Sequence, residues 1–95
     1  MSVIVQFRDT RDRLIYEGHS DKRFQPAICR KITDKLRAID AAETIDDLKF
    51  PPSNKLHPLL RDRIGQHAIW VNGAIRICFT WDDGRVTIEY IGNYH

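Results

Sequence analysis

Chemistry-bearing side chains gather in the second half of the chain. His57 lies inside the basic run Lys55-Leu56-His57-Pro58-Leu59-Leu60-Arg61-Asp62-Arg63. Arg76 interrupts an alternating apolar segment, and the sequence closes on Tyr94-His95. Together these types offer a base, a cation and an acid. Those are the groups that cut RNA through its own 2′-hydroxyl: one takes the hydroxyl proton, one meets charge on the phosphorane, one protonates the departing 5′-oxygen. Each also has a plainer use. Two histidines in a small chain need have no catalytic role, and Arg76 can pair across strands with Glu89. His67 is expected to pack or cap, His19 to be solvated, and Trp70 and Trp81 to serve the core or a partner contact.

Other chemistries lack their residues. His19, His57, His67, His95, Cys29 and Cys78 show no C-x-x-C or H-x-x-x-H spacing, so neither a metal site nor a cofactor is expected. No glycine-rich phosphate loop or G-x-S-x-G elbow occurs. Cys29 and Cys78 sit in ordinary apolar patterns and read as buried, reduced thiols of a cytoplasmic protein.

The elements that must position these groups are legible. Val3 to Phe7 is β-branched and short, a strand. Asp9 and Thr10 cap a short helix, Thr10 to Tyr16, with Gly18 just past its end. A second helix starts at Pro26, where a missing N–H leaves nothing unpaired. Its Ile28, Ile32, Leu36 and Ile39 form one apolar stripe. A further turn at Ile45 to Leu48 ends at Pro51-Pro52. The period then falls to two. Asn72-Gly73 suggests a type I′ hairpin. Ile75, Ile77, Phe79 and Trp81 point one way, Arg76, Cys78 and Thr80 the other. After Asp83-Gly84, Val86, Ile88 and Tyr90 alternate with Thr87, Glu89 and Ile91. The order predicts an α+β domain: an N-terminal strand, then two to three helices packed on one face of a mainly antiparallel sheet. The opposite face carries Arg76.

With 95 residues the chain has room for one domain, residues 1–95. It is 42% hydrophobic and 29% charged with 5 Gly and 4 Pro, which excludes collagen-like and disordered chains. No apolar run approaches the ~20 residues of a spanning helix, and the first residues lack a signal-peptide pattern. The net charge of +2 is too small to argue nucleic-acid binding alone. Its distribution is uneven: Leu48 to Trp81 holds Lys49, Lys55, Arg61, Arg63 and Arg76 against Asp62 only.

The ordered set Asp40-Ala41-Ala42, Asp47-Leu48, Leu56-His57-Pro58-Leu59, Asp62-Arg63, Gly65-Gln66-His67-Ala68-Ile69-Trp70-Val71-Asn72, Arg76-Ile77-Cys78-Phe79-Thr80-Trp81 and Asn93-Tyr94-His95 resembles the HigB toxins. These belong to the RelE/ParE superfamily of bacterial toxin–antitoxin systems. The resemblance implies a microbial-ribonuclease-like α+β fold and a toxin that cuts mRNA in the ribosomal A site. It implies a helix-turn-helix, HigA-like antitoxin in a 2:2 complex, with operator DNA bound only through the antitoxin. By the same resemblance His57 and His95 are acid/base groups, Arg76 faces the scissile phosphate and Tyr94 positions a base. Lys55, Arg61, Arg63 and Asn93 would contact RNA. Two positions depart from the family: Leu60 stands where lysine is usual, and Asn93 where aspartate is. They keep open a ParE-like toxin that blocks a protein such as DNA gyrase, or an attenuated toxin acting as a co-repressor.

Overall fold

The computed structural model describes residues 2–93. Strand β1 (Ile4–Phe7) leads into helix α1 (Thr10–Tyr16), whose Asp9 cap accepts from the Arg11 amide. Helix α2 (Pro26–Ala41) begins on its proline, as the spacing requires. Short 3-10 turns at Ile45–Lys49 and Pro52–Asn54 bring the chain to β2 (His57–Pro58). A third such turn, Arg61–Arg63, precedes β3 (His67–Asn72), β4 (Ile75–Asp82) and β5 (Arg85–Gly92).

The strands form one five-stranded sheet in the order β1-β5-β4-β3-β2. β2 to β5 are antiparallel neighbours, while β1 joins β5 in parallel. Both helices cover one face. Ile15 from α1 and Ile32, Leu36 and Ile39 from α2 are fully buried against Ile69, Ile77, Phe79, Val86 and Ile88. The α2 stripe read from the sequence is therefore the helix side of the core. Truncating one such side chain to alanine costs about 2–5 kcal/mol.

Two polar junctions fix the helices. Near the end of α2, the Asp40 carboxylate accepts from the Val3 and Ile4 amides at 2.9 and 2.8 Å and from the Tyr16 hydroxyl at 2.7 Å. Burial pushes this carboxyl up, but the hydrogen bonds outweigh it and hold Asp40 below the usual carboxylate range. In α1, Asp12 is 1% exposed and meets the Arg23 guanidinium at 2.8 Å. Arg23 also holds Asp21 at 2.9 Å, which ties the loop before α2 to α1.

Two strand expectations are corrected. Asn72 pairs with Ile75, so the β3–β4 loop is Gly73-Ala74, one residue later than the Asn-Gly reading. Only Gly73 has a positive φ (+52°), whereas a type I′ turn needs one at both positions. In β5, Cys78 pairs with Tyr90 and Phe79 with Ile88, leaving Glu89 as an extra residue. Such a bulge re-aims the side chains after it. Val86, Ile88 and Ile91 enter the helix-side core, while Tyr90 joins Leu59, Ala68 and Cys78 on the other face. The unbroken alternation that grouped Tyr90 with Val86 and Ile88 is thereby overturned.

Candidate active site

Residues directly opposite one another in a sheet share a face. His57 pairs with Ala68, Ala68 with Cys78 and Cys78 with Tyr90, giving one row across four strands. The neighbouring row runs Trp70, Arg76, Gly92. His57 and Arg76 thus leave the same, helix-free face. Strand spacing and rise put their Cα atoms ~12 Å apart. That separation is within the combined length of an imidazole, an arginine side chain and one phosphodiester between them.

Local structure orients each group. His57 Nδ1 lies 2.7 Å from the Lys55 carbonyl. A carbonyl can only accept, so Nδ1 carries the proton; in the neutral ring the lone pair is then on Nε2. Lys55 sits at the end of a 3-10 turn in the left-handed region (φ 51°), with its Nζ over the Trp70 ring at 5.1 Å. The Trp70 indole N–H and Arg76 Nη1 both donate to the Gly73 carbonyl, at 2.7 and 2.8 Å, so the hairpin turn holds both side chains. Arg76 Nη1 also reaches the Ile75 carbonyl at 3.2 Å.

The cross-strand pair of Arg76 with Glu89 does not form. Glu89 instead binds Arg8 at 3.0 Å and accepts from the Thr80 hydroxyl at 3.2 Å. Among the described residues no carboxylate pairs with Arg76.

Arg63 lies over the Tyr90 ring at 4.7 Å. Beneath these groups the Cys78 thiol is fully buried. Burial pushes it up to about 11, against the opposing pull of Arg63 and Arg76. It is a neutral filler of the site floor, not a nucleophile. Arg61 and Arg63 line a cavity of about 530 Å³ with Leu59, Leu60 and Asp62. Leu60, where the resemblance implies a lysine, is 74% exposed and presents an apolar side chain to solvent. Arg61, like Lys55, has a positive φ (57°), so both loop cations sit on backbone that L-residues adopt at a cost.

Of the candidate residues, His57, Arg76, Lys55, Arg61 and Arg63 lie on this face or on the loop at its rim. Asn93 follows β5 and accepts from the Tyr90 hydroxyl through its carbonyl, at 3.2 Å. Tyr94 and His95 lie outside the described residues. His67 takes the packing role, stacked on Phe79 with centroids 6.3 Å apart. Trp81 packs against the helix-side core. Trp70, Cys78, Tyr90 and Gly92 were not read as part of a site. Face alternation placed Cys78 beside Arg76, but cross-strand register and the Glu89 bulge leave no mark in a single sequence.

The fold matches solved structures over its whole length. The YoeB–YefM complex of Staphylococcus aureus aligns with a TM-score of 0.62 at 19% identity, covering 100% of this chain and 98% of that one. A conserved protein of Helicobacter pylori aligns at 0.58 and 15%, covering 99% and 96%. At such identities the likeness is one of fold, that of a small α+β domain. The family model described as a RelE-like toxin of type II toxin–antitoxin system HigB matches residues 5–95. Toxin HigB-1 of Vibrio cholerae is 32% identical over 88 residues, covering 92% of this chain and 93% of its own. Endoribonuclease HigB of Proteus vulgaris is 40% identical over 65 residues, covering 68% and 70%. The chain belongs to the HigB-like toxins of type II toxin–antitoxin systems.

Proposed function

We propose that this toxin is a metal-independent, ribosome-dependent mRNA endonuclease that stops translation. The observation that carries the reading is the shared face of His57 and Arg76, an arginine that no carboxylate among the described residues pairs. The name of the Proteus vulgaris relative, an endoribonuclease, supports it.

His57 Nε2 takes the 2′-hydroxyl proton and the 2′-oxygen attacks phosphorus. Arg76 holds the equatorial oxygens of the phosphorane. His95, as imidazolium, gives its proton to the 5′-oxygen as the P–O5′ bond breaks. The products are a 2′,3′-cyclic phosphate and a 5′-hydroxyl, so atoms and charge balance without a metal. Tyr94 stacks on a base, a contact worth ~1–3 kcal/mol. Lys55, Arg61, Arg63 and Asn93 hold the strand, the cations making binding salt-sensitive.

A helix-turn-helix antitoxin of the HigA kind neutralises the toxin in a 2:2 assembly and brings it to operator DNA. The site of action is the ribosomal A site in the cytoplasm. Among the described residues no helix is long and apolar enough to cross a membrane.

The exposed Leu60 and the neutral Asn93 favour a second reading, a ParE-like toxin that blocks a protein such as DNA gyrase without chemistry. Inducing the chain in cells and mapping mRNA 5′ ends separates the two. Codon-phased cuts that vanish in His95→Ala support the nuclease. Growth arrest with a raised SOS response and no cuts supports the protein-blocking toxin. A parent chain that gives neither cuts nor arrest, with antitoxin and operator binding that persist in His57→Ala and His95→Ala, would leave co-repression as the main role.

A further inference from the structure

Tyr90 is the residue the Glu89 bulge turns onto the helix-free face, and both of its ends are used there. Its ring lies under the Arg63 guanidinium at 4.7 Å, and its hydroxyl donates to the Asn93 carbonyl at 3.2 Å. Gly92 makes room for this. A Cβ built on Gly92 would stand 2.8 Å from the Tyr90 hydroxyl oxygen and 3.1 Å from the adjoining ring carbon, and the glycine φ is +147°. Any other residue there would displace the ring and strain the backbone. Gly92 is also the register partner of Arg76, so the tyrosine lies across the end of the row that holds the arginine. The hydroxyl therefore holds the backbone at Asn93, one residue past that partner.

We propose that Tyr90 is a positioning residue of this site, with its ring setting Arg63 against the RNA strand and its hydroxyl holding the Asn93 carbonyl at the end of the Arg76 row. The proposal rests on the endonuclease reading for its kinetic test but not for its structural one. Ring and hydroxyl act on different parameters. Tyr90→Phe keeps the ring and loses one hydrogen bond to the Asn93 carbonyl. It should lower the maximal single-turnover cleavage rate by about two- to tenfold and leave the half-saturating concentration unchanged. Tyr90→Met keeps an apolar side chain of similar reach and loses the π face. It should in addition raise the half-saturating concentration by roughly two- to fivefold.

The kinetic test uses messages on programmed ribosomes, with a thermal melt of each variant. In Arg63→Ala, Tyr90→Met should add nothing to the half-saturating concentration beyond what Tyr90→Phe adds, because the cation is gone. Folded Phe and Met variants within about twofold of the parent in both parameters overturn the proposal, as does full additivity with Arg63→Ala. Tyr90→Phe carries the test if the Met variant does not fold. If the parent chain cuts nothing, the endonuclease reading fails and the positioning is read by NMR. The Arg63 Nε proton should be ring-shifted in the parent and in Tyr90→Phe and return to the ordinary arginine position in Tyr90→Met. An unshifted proton in the parent, or one that stays in place in the Met variant, overturns it.

Discussion

Replacing Arg76 by lysine and by alanine separates its charge from its geometry. In the folded chain Nη1 is committed to the Gly73 and Ile75 carbonyls. A guanidinium has five N–H donors, so those on Nε and Nη2 remain to meet two phosphate oxygens at once. Lysine keeps the charge but presents it as a single point, and the Gly73 carbonyl would draw that ammonium toward the turn. Losing one transition-state donor typically costs about 10²–10³ in rate, or roughly 2.7–4 kcal/mol. Arg76→Ala should fall in that range. Arg76→Lys should recover part of it, with a loss of about 10–10². Folding should suffer little, since Arg76 has no ionic partner among the described residues and each lost carbonyl bond is worth about 0.5–1.5 kcal/mol. The assay is single-turnover cleavage of a ribosome-bound message at saturating toxin, beside a thermal melt of each variant. A folded Arg76→Ala that cleaves within about threefold of the parent refutes the reasoning, because the phosphorane charge must then be met elsewhere. An Arg76→Ala chain unfolded at the assay temperature refutes it too, by showing that the arginine serves the fold.

Further expectations follow from the same geometry. Leu60→Lys restores a cation on an exposed side chain; stability should move by less than about 0.5 kcal/mol while cleavage rises about tenfold, and an unchanged rate would show that the cation is not needed. Arg23→Ala leaves the Asp12 carboxyl buried without its guanidinium, costing about 3–5 kcal/mol at neutral pH. Burial raises this carboxyl, with Arg23 opposing, so folding of the variant takes up a proton. Its deficit against the parent should shrink as pH falls from neutral toward the parent's own raised Asp12 value, above the ordinary carboxylate range, and urea melts showing a constant deficit there would contradict this. Asp40 works the other way. Its lowered pKa adds stability that is complete above the unfolded value near 4 and lost as pH falls through the folded one. Asp40→Asn should cost about 1.5–3 kcal/mol at neutral pH and remove that acid dependence, as melts across the range would reveal.

Much of this fold was written in local patterns. Asp9 before Thr10, Pro26 before the Ile28-Ile32-Leu36-Ile39 stripe, and Asp83-Gly84 between two alternating runs each state an element through its own neighbours. The observed α1 and the start of α2 coincide with those signals. The face of Arg76 was equally legible, because period-two alternation in β4 is unbroken through Trp81. What was not legible depends on pairing between distant residues. Nothing near Val3 says that the first strand lies parallel to the last. Nothing near Glu89 says that it is the unpaired residue of a bulge, yet that one residue moves Tyr90 from the face of Val86 and Ile88 to the site. Arg76 and Glu89 were reasonable partners by charge, and Arg8 claims Glu89 only because β1 lies beside β5. His57 and Arg76 were named from type and resemblance, whereas their common face comes from the β2–β3–β4 register.

The chemistry of the cut ends tests the central claim most directly. Message cleaved on ribosomes by the purified toxin can be treated with phosphatase and with polynucleotide kinase before 3′-end ligation. Attack by the neighbouring 2′-hydroxyl, with His57 as base and Arg76 on the phosphorane, predicts 2′,3′-cyclic phosphate or the 3′-phosphate from its hydrolysis, opposite a 5′-hydroxyl. A 3′-hydroxyl opposite a 5′-phosphate means that water was the nucleophile, which contradicts the account.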